Sequence, residues 1–369
     1  MAFIARSRCA SKISMPARVK RRRRVGSMER TASLGPEGGS RIMARQGFGL
    51  AARCRPPSQP RHMPLPSMRP IRDAAAAWRF WRRFRGRHPG LFPAGDALQG
   101  FGRILSPQRL RHRIGWNRLR EGCEVSADAA GGYRVRVKSL GLDFFWPTPP
   151  DCDTWYALEQ EVRLEHPHCY TTPPIVLGPG STVIDVGACE GLFAFRMLRQ
   201  RLARRVIAFE PFPDMGVLLK RGAAANGIGA ELVHEPMAVA GRSGTVGFRT
   251  DLGADASQVV VDPGPGFSGL RVEATSLDDY VARTGLELGR GDLIKVDAEG
   301  ADWDVLRGAE SVIRSKAPQI AVTTYHTDDH ADQITEWLRS VQPAYRMRLK
   351  GFAYWTPVPR PVLLQASAL

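Results

Sequence analysis

The chain has 369 residues, a length that suits one large domain or two modest ones. Hydrophobic residues make up 43% and charged residues 24%, which excludes a wholly disordered protein. The formal net charge is +17, but residues 1–90 alone hold 22 basic and 3 acidic side chains, so the remainder is near neutral.

The cysteine and hydropathy patterns narrow the class of protein further. Six cysteines form no C-x-x-C pair and no regular framework, which disfavours a structural zinc site and a disulfide-stapled secreted domain. No apolar run approaches the roughly 18 residues that cross a bilayer, and the first 70 residues lack the apolar core of a signal peptide. We expect a soluble, cytoplasmic protein with no transmembrane segment.

Residues 1–67 are predicted to be a disordered basic leader. They contain an arginine run at 21–24, frequent glycine and proline, and little hydrophobic periodicity. Such a segment could bind RNA or an anionic membrane by charge alone, but it has no interleaved aromatic residues to stack on bases. A solvated tail, or sequence upstream of a later start at Met43 or Met68, explains it more simply.

Residues 68–173 are predicted to form a small α/β N-terminal extension that covers the substrate side of the main domain. The pattern over 73–87 predicts a helix with tryptophans and phenylalanines among arginines. It could lie on a membrane surface, but we favour packing on the main domain. Residues 132–146 predict a β-hairpin, and residues 154–165 a short helix.

Residues 174–369 alternate short β-branched runs with amphipathic stretches of helical length, which is typical of βα units around a parallel sheet. A further strand at 245–249 and a loop at 262–269 interrupt this rhythm. The predicted strands are 182–186, 205–210, 232–239, 293–297 and 319–325. The predicted helices are 191–201, 215–226, 302–315 and 328–341. Two further strands, 345–350 and 362–366, are predicted to form an antiparallel pair at one edge of the sheet.

The first chemical motif is a glycine turn at residues 183–191 (VIDVGACEG), between a strand and a helix. Gly187 and Gly191 have the spacing G-x-x-x-G, which differs from the dinucleotide fingerprint and from a phosphate loop. Asp185 would repel a pyrophosphate but suits an ammonium group such as that of methionine. The alternative is that Asp185 caps the turn.

The second motif ends a strand with Glu210 and Pro211, about 20 residues beyond the turn. An acid at this place can accept hydrogen bonds from two ribose hydroxyls, so the motif indicates a nucleoside ligand. Glu210 could also cap the following helix, and the two roles are compatible.

The third motif places Asp297, Glu299 and Asp302 at the end of another strand. In open α/β sheets this edge faces the ligand crevice, so Asp297 and Glu299 are predicted to face the glycine turn. One of these acids could take a proton from an attacking hydroxyl, a pair could hold a divalent metal, or Glu299 and Asp302 could cap the next helix.

Together these motifs resemble the S-adenosylmethionine-dependent methyltransferases of the FkbM family. The match runs from Pro174 to Ala366 and includes VIDVGACEG, IAFEP, residues 237–240, SLDDY at 276–280, IKVDAEGADWDVLRGAE at 294–310 and AVTTYH at 321–326. The resemblance implies a class I methyltransferase fold: an α/β, Rossmann-like, mostly parallel seven-stranded sheet with helices on both faces. It also implies S-adenosylmethionine (SAM) as cofactor and methyl transfer to a hydroxyl of a sugar, polyketide or related metabolite.

The resemblance also implies roles for individual residues. The glycine turn would hold the methionine half of SAM, Glu210 the ribose, and the chain around Met237 the adenine. Cys189, Glu190 and Asp302 depart from the family's usual residues. The implied cofactor-binding residues are Asp185, Gly187, Ala188, Cys189, Glu190, Gly191, Glu210, Pro211, Met237 and Ala238.

The catalytic candidates are Asp297, Glu299 and His326. Asp297 is the first choice for the base, and His326 the second because an unperturbed imidazole pKa near 6.5 suits proton transfer. Asp329 and His330 are interpreted as polar residues at a helix start. No metal ligands are predicted, although a divalent metal is compatible with the acids.

Two other functions remain open from sequence. An RNA methyltransferase would use the basic leader, but base-amine enzymes of this fold usually carry an N/D-P-P-aromatic motif where this chain reads DAEG. A domain that binds SAM without turnover would carry the same motifs. Acceptor selectivity is expected from residues 91–175 and 250–270, whose aromatic side chains Trp146, Trp155, Tyr156 and Phe267 could form an acceptor wall or belong to the core.

Overall fold

A computed structural model of the chain describes residues 69–106, 108–249, 258–353 and 355–369. The predicted basic leader at 1–67 and most of the loop after residue 249 lie outside this part of the chain.

The N-terminal extension contains helices and a three-stranded antiparallel sheet. Tyr133 lies opposite Trp146 and Val137 opposite Leu142, so the predicted hairpin is confirmed, and a third strand precedes it. The elements are α1 (Arg69–Arg87), α2 (Ala94–Leu105), α3 (Gln108–Glu121), β1 (Cys123–Ala127), β2 (Tyr133–Val137), β3 (Leu142–Trp146) and α4 (Cys152–Val162).

The helix predicted over 73–87 is confirmed as part of α1, and its apolar face packs on the domain. Ala77, Trp81 and Phe84 follow helical spacing and are buried. The Phe80 ring meets the Phe352 ring edge-on, with centroids 6.2 Å apart. The arginines of α1 remain exposed.

The remaining chain alternates strands and helices. Its elements are β4 (Thr182–Val186), α5 (Leu192–Arg199), β5 (Arg205–Phe209), α6 (Pro213–Ala225), β6 (Leu232–Glu235), β7 (Ala238–Val239), β8 (Gly244–Arg249), β9 (Gln258–Val261), β10 (Leu270–Thr275), α7 (Leu277–Thr284), β11 (Leu293–Val296), α8 (Asp302–Arg307), α9 (Glu310–Lys316), β12 (Gln319–Thr323), α10 (His330–Val341), β13 (Arg346–Ala353) and β14 (Arg360–Ser367).

Seven strands form the main sheet in the order β13-β14-β12-β11-β4-β5-β6. β14 pairs antiparallel with β12 and β13, and the other four pairings are parallel, which confirms both the mostly parallel class I methyltransferase fold and the antiparallel edge pair. Alternate residues of each strand face opposite sides. Ile184 and Ile294 join one apolar cluster, whereas Val183 and Leu293 join the other, so helices are held on both faces.

Two predicted elements were wrong in their extent. The strand predicted over 232–239 is two strands in different sheets, because Pro236 has no N–H to continue the ladder. The helix predicted over 302–315 is divided into α8 and α9 at Gly308, where a Cβ would overlap the carbonyl oxygen of Ala240.

A second sheet of four strands, in the order β7-β10-β8-β9, lies after β6 in the chain. The predicted extra strand at 245–249 is confirmed as β8, and the predicted loop at 262–269 connects β9 to β10. Strands β9 and β10 were not predicted from the sequence. Within the described ranges, no helix has the length and apolarity needed to cross a membrane.

Candidate active site

The glycine turn joins β4 to α5 at the carboxyl edge of the main sheet. Gly187 has φ +76°, and a Cβ there would overlap the carbonyl oxygen of Asp297. Only glycine allows this close approach of the two loops. The amides of Gly187 and Ala188 both donate to the carbonyl oxygen of Phe209 at 3.1 Å, which fixes the turn to the end of β5.

Glu210 follows β5 directly and is 1% exposed. Its Oε2 accepts the Cys189 amide at 2.9 Å, and its Oε1 accepts the Phe212 amide at 2.8 Å. Phe212 is the residue that precedes α6. Glu210 therefore supports the glycine turn and the start of α6 while it also lines a cavity.

The cavity has a volume of about 450 Å³, within the range of roughly 300–1,000 Å³ for small-molecule sites. It lies at the carboxyl ends of β4, β5 and β11, where open α/β sheets bind ligands. The second sheet supplies an apolar wall with Val246 and Phe248. The predicted site residues that line it are Gly187, Glu210, Pro211, Met237, Ala238, Asp297 and Glu299.

A smaller cavity of about 40 Å³ shares Gly187, Asp297 and Glu299 with the first. Ala188, Cys189 and Glu190 also line it. The predicted residues that line neither cavity are Asp185, Gly191 and His326.

Asp185 is fully buried and forms an ion pair with Lys295 at 2.8 Å. The two residues are register partners on β4 and β11. The Lys295 ammonium also donates to the Gly187 carbonyl oxygen at 2.8 Å. Burial opposes the charge on Lys295, but Asp185 and Asp297 outweigh this effect and raise the pKa of Lys295. Asp185 thus acts on the turn through Lys295, a residue that the sequence analysis missed.

Asp297 is held by three side chains. Its Oδ2 accepts the Tyr170 hydroxyl at 2.8 Å and lies 3.5 Å from His168 Nε2, while its Oδ1 accepts the Thr323 hydroxyl at 3.3 Å. Burial disfavours the carboxylate, but His168 and Lys295 outweigh burial and hold the pKa of Asp297 well below its usual value. Asp297 is therefore ionised at neutral pH.

A buried chain of polar side chains continues away from Asp297. The Tyr170 hydroxyl lies 2.9 Å from His168 Nε2, and the Tyr156 hydroxyl lies 3.4 Å from His168 Nδ1. His168 and Tyr170 were not predicted as site residues, although the segment HPHCY at 166–170 carries an unusual density of polar and aromatic groups. Tyr156 thus supports the site, whereas Trp146 and Trp155 belong to the core between β2, β3 and α4.

His326 follows β12, and its Nδ1 lies 2.8 Å from Asp302 Oδ2. Its Nε2 lies 3.4 Å from Glu299 Oε2. Burial lowers the pKa of His326, but Asp302 and Glu299 outweigh burial and raise it well above the ordinary value. The unperturbed pKa that favoured His326 as a base does not apply, because a protonated imidazole at neutral pH cannot accept a proton.

Glu299 is the most accessible acid of this group, with 32% of its side chain exposed. It has φ +49°, an uncommon conformation for a residue with a side chain, and it lines both cavities. Asp329 and His330 begin α10, as predicted.

Similar proteins were found by sequence and by structure. The chain is 27% identical to the AMB antimetabolite synthetase AmbE of Pseudomonas aeruginosa over 254 residues, which cover 58% of this chain and only 11% of that protein. A methyltransferase FkbM of Methylobacillus flagellatus KT has 16% identity, with 78% of this chain and 70% of that chain covered and a TM-score of 0.40.

A second solved structure, TrmK of M. capricolum in complex with S-adenosyl-homocysteine, has 8% identity and a TM-score of 0.32, with 52% of this chain and 64% of that chain covered. These structural likenesses are too low to carry an inference about function. The family match is independent of them: residues 185–347 match the model of the methyltransferase FkbM domain. The motifs, the seven-stranded sheet and this match agree that residues 185–347 form a methyltransferase FkbM domain.

Proposed function

We propose that the chain transfers a methyl group from SAM to a hydroxyl oxygen of a small metabolite such as a sugar or a polyketide. The observation that carries the proposal is that two cavities meet at Asp297 and Glu299. The larger one is lined by Glu210, which is placed for a nucleoside. The methyl donor and the acceptor hydroxyl would meet beside these two carboxylates.

The residues present fit SAM on chemical grounds. Glu190 Oε2 is buried at the smaller cavity and has no hydrogen-bond partner among the residues with described positions. A buried carboxylate oxygen without a partner is costly, and an ammonium group would satisfy it. We therefore assign the methionine half to the turn around Glu190, the ribose to Glu210 and the adenine to the wall with Met237 and Ala238.

When bound, SAM supplies an electrophilic methyl group on a sulfonium, so the protein need only align the acceptor and remove one proton. Asp297 keeps its position through Tyr170 and Thr323 and orients the acceptor hydroxyl. Glu299 carries fewer hydrogen bonds and is more accessible, so we assign to it the proton of that hydroxyl. This assignment leaves His326 as the cation that holds Glu299 in place.

Two observations support a small metabolite as the acceptor. The similarity of this chain to part of an antimetabolite synthetase is in keeping with an acceptor from small-molecule metabolism. The larger cavity is also lined by the cationic side chains Arg242 and Arg307, of which Arg242 pairs with Asp262, and such side chains suit an acceptor with an acidic group.

The test is to incubate the full chain with methyl-labelled SAM and separate pools of sugars, hydroxylated polyketides and RNA. We expect label in an O-methyl ether of a small molecule, and a large loss of this product with Glu299→Gln. Nuclease-sensitive label in the RNA pool would favour the RNA methyltransferase instead. SAM binding without transfer to any pool would favour a binding domain without turnover.

A further inference from the structure

Helices α1 and α2 expose apolar side chains along one side of each helix. On α1, Ile71 and Trp78 are seven residues apart and are 58% and 45% exposed. On α2, Leu98 and Leu105 have the same spacing and are 65% and 53% exposed. Residues three, four or seven apart share a helix face, so Phe101 lies on the stripe between Leu98 and Leu105. The ring centroids of Trp78 and Phe101 are 5.8 Å apart, which joins the two stripes into one surface that we call the α1–α2 surface.

Exposed apolar side chains are concentrated on these two helices. Among the residues whose side chains the structure describes, eleven large hydrophobic residues are exposed, and four of them lie on α1 and α2, which have only 19 and 12 residues. Single exposed hydrophobic residues are ordinary, whereas a contiguous group of them is typical of an interaction site. The opposite face of α1 is already occupied, because Trp81 and Phe84 are buried in the core of the main domain. The α1–α2 surface is therefore the side of α1 that is open to a partner.

The acids of the two helices are already paired. α1 and α2 contain eight arginines but only two acids. Asp73 is 8% exposed and pairs with Arg69 at 3.3 Å. Asp96 accepts two hydrogen bonds, each of 2.7 Å, from the guanidinium group of Arg348. Little negative charge therefore remains on α1 and α2 to balance their other arginines.

Arginines border the apolar side chains of the α1–α2 surface. Arg79 follows Trp78 directly, and Arg82 lies one turn after Trp78 on the same face of α1. Both arginines are exposed, and neither forms an ion pair or a side-chain hydrogen bond with a residue whose position the structure describes. The surface thus combines apolar side chains with unbalanced positive charge, which is typical of helices that lie in a membrane interface.

An anionic membrane complements both properties of this surface. Apolar side chains enter the boundary between headgroups and acyl chains, while arginines bind the lipid phosphates. We propose that the α1–α2 surface docks the protein on an anionic membrane. RNA fits less well, because Ile71, Leu98 and Leu105 cannot stack on bases. Neither a second copy of this surface nor residues 1–67, which hold 15 basic and 2 acidic side chains, would supply the opposite charge.

The test is flotation of the full chain with vesicles of phosphatidylglycerol and phosphatidylcholine in equal amounts, compared with vesicles of phosphatidylcholine alone, at physiological salt. We expect binding to the anionic vesicles and at least about 10-fold weaker binding to the neutral ones. Arg79→Glu/Arg82→Glu should weaken binding to the anionic vesicles by at least about 10-fold, because the reversed charges face the lipid. Arg204→Glu/Arg290→Glu is the matched control: both arginines are exposed, they precede β5 and β11, and the net charge changes equally, so it should bind as the wild type does.

Ile71→Ser/Leu98→Ser tests the apolar part of the surface. It should weaken binding to the anionic vesicles by about 10- to 100-fold, because two large apolar side chains no longer leave water. Val176→Ser/Val217→Ser changes two side chains that are exposed elsewhere, and it should bind as the wild type does. All four of these side chains are more than half exposed, so circular dichroism should show the native fold in each variant.

Failure of the wild type to bind anionic vesicles would overturn the membrane site. Equal vesicle binding by either test variant and its control would also overturn it, because the binding would then come from charge elsewhere in the chain. A gel-shift titration of single-stranded RNA tests the other occupant. Loss of RNA binding in Arg79→Glu/Arg82→Glu, with vesicle binding unchanged, would assign the surface to a nucleic acid instead. None of these measurements uses SAM, so their outcome is independent of the proposed function.

Discussion

The ammonium group of Lys295 lies 2.8 Å from the carboxylate of Asp185, and both side chains are buried next to the glycine turn. The pair connects two neighbouring strands through residues that are partners in the register. Lys295 also donates to the carbonyl oxygens of Val186 and Gly187. The shape of the turn therefore depends on a residue of another strand.

Lys295→Met should destabilise the fold, because it leaves the Asp185 carboxylate buried without its cation. The expected loss in free energy of unfolding is about 3–5 kcal/mol, measured by urea denaturation. The double variant Asp185→Asn/Lys295→Met, which buries no charge, should recover part of this loss. A single variant as stable as the wild type would show that the pair does not hold the turn.

Gly187→Ala should separate the turn from the loop after β11, because its Cβ would overlap the Asp297 carbonyl oxygen. We expect a loss of about 2–4 kcal/mol in stability from overlap and backbone strain together. Gly141→Ala is the matched control: Gly141 has φ +59° and open space around its Cβ position, so only about 1 kcal/mol of strain applies. Equal losses in the two variants would argue against the close approach.

Tyr170→Phe should lower the methyl-transfer rate and leave the affinity for SAM close to that of the wild type. The hydroxyl of Tyr170 donates to Asp297 at 2.8 Å, and its loss costs about 1–3 kcal/mol, or roughly 5- to 150-fold in rate. Steady-state kinetics against a labelled acceptor measures kcat and KM separately. A change confined to KM for SAM would contradict a role for Tyr170 in positioning Asp297.

The buried Lys350 should make stability depend on pH. Burial lowers the pKa of Lys350 to about 8, while the Cys169 carbonyl and the Thr172 hydroxyl accept its hydrogen bonds. Between pH 8 and about 10.5 the unfolded state binds more protons than the folded state, so this group makes stability rise with pH. The total rise is about 3 kcal/mol, from 1.36 kcal/mol for each unit of pKa.

Lys350→Met removes this titration, so the stability of the wild type relative to the variant should increase from pH 8 to pH 10.5. Urea denaturation at several pH values measures the difference. A constant difference over this interval would mean that Lys350 has an ordinary pKa in the folded protein.

The sequence predicted the parts of the fold that depend on local patterns. Continuous apolar runs such as 206–209 identified the buried parallel strands, and the spacing of Gly187 and Gly191 located the turn. Glu210, Asp297 and Glu299 were placed at one edge because the ends of parallel strands meet there. The structure brings these residues to shared cavities.

The sequence could not predict contacts that depend on distant segments. Tyr170 reaches Asp297 across 127 residues, from a segment before the first strand of the main sheet. The pairing of Asp185 with Lys295 depends on strand register, and the charge of His326 depends on the proximity of Asp302 and Glu299. Strands β9 and β10 were missed because short strands are defined by their partners rather than by their own pattern.

The most direct measurement is calorimetric titration of SAM, and separately of NAD, into the full chain, with Glu210→Gln and Glu235→Gln as paired variants. Glu235 ends the neighbouring strand, binds the Tyr280 hydroxyl and does not line either cavity, so its variant should bind SAM as the wild type does. Glu210→Gln should weaken SAM binding by about 10- to 100-fold, because a hydrogen bond to a charged group contributes about 1.5–3 kcal/mol. NAD should not bind to the wild type or to either variant. Folded protein that binds no SAM, or that binds it equally well without Glu210, would contradict the account.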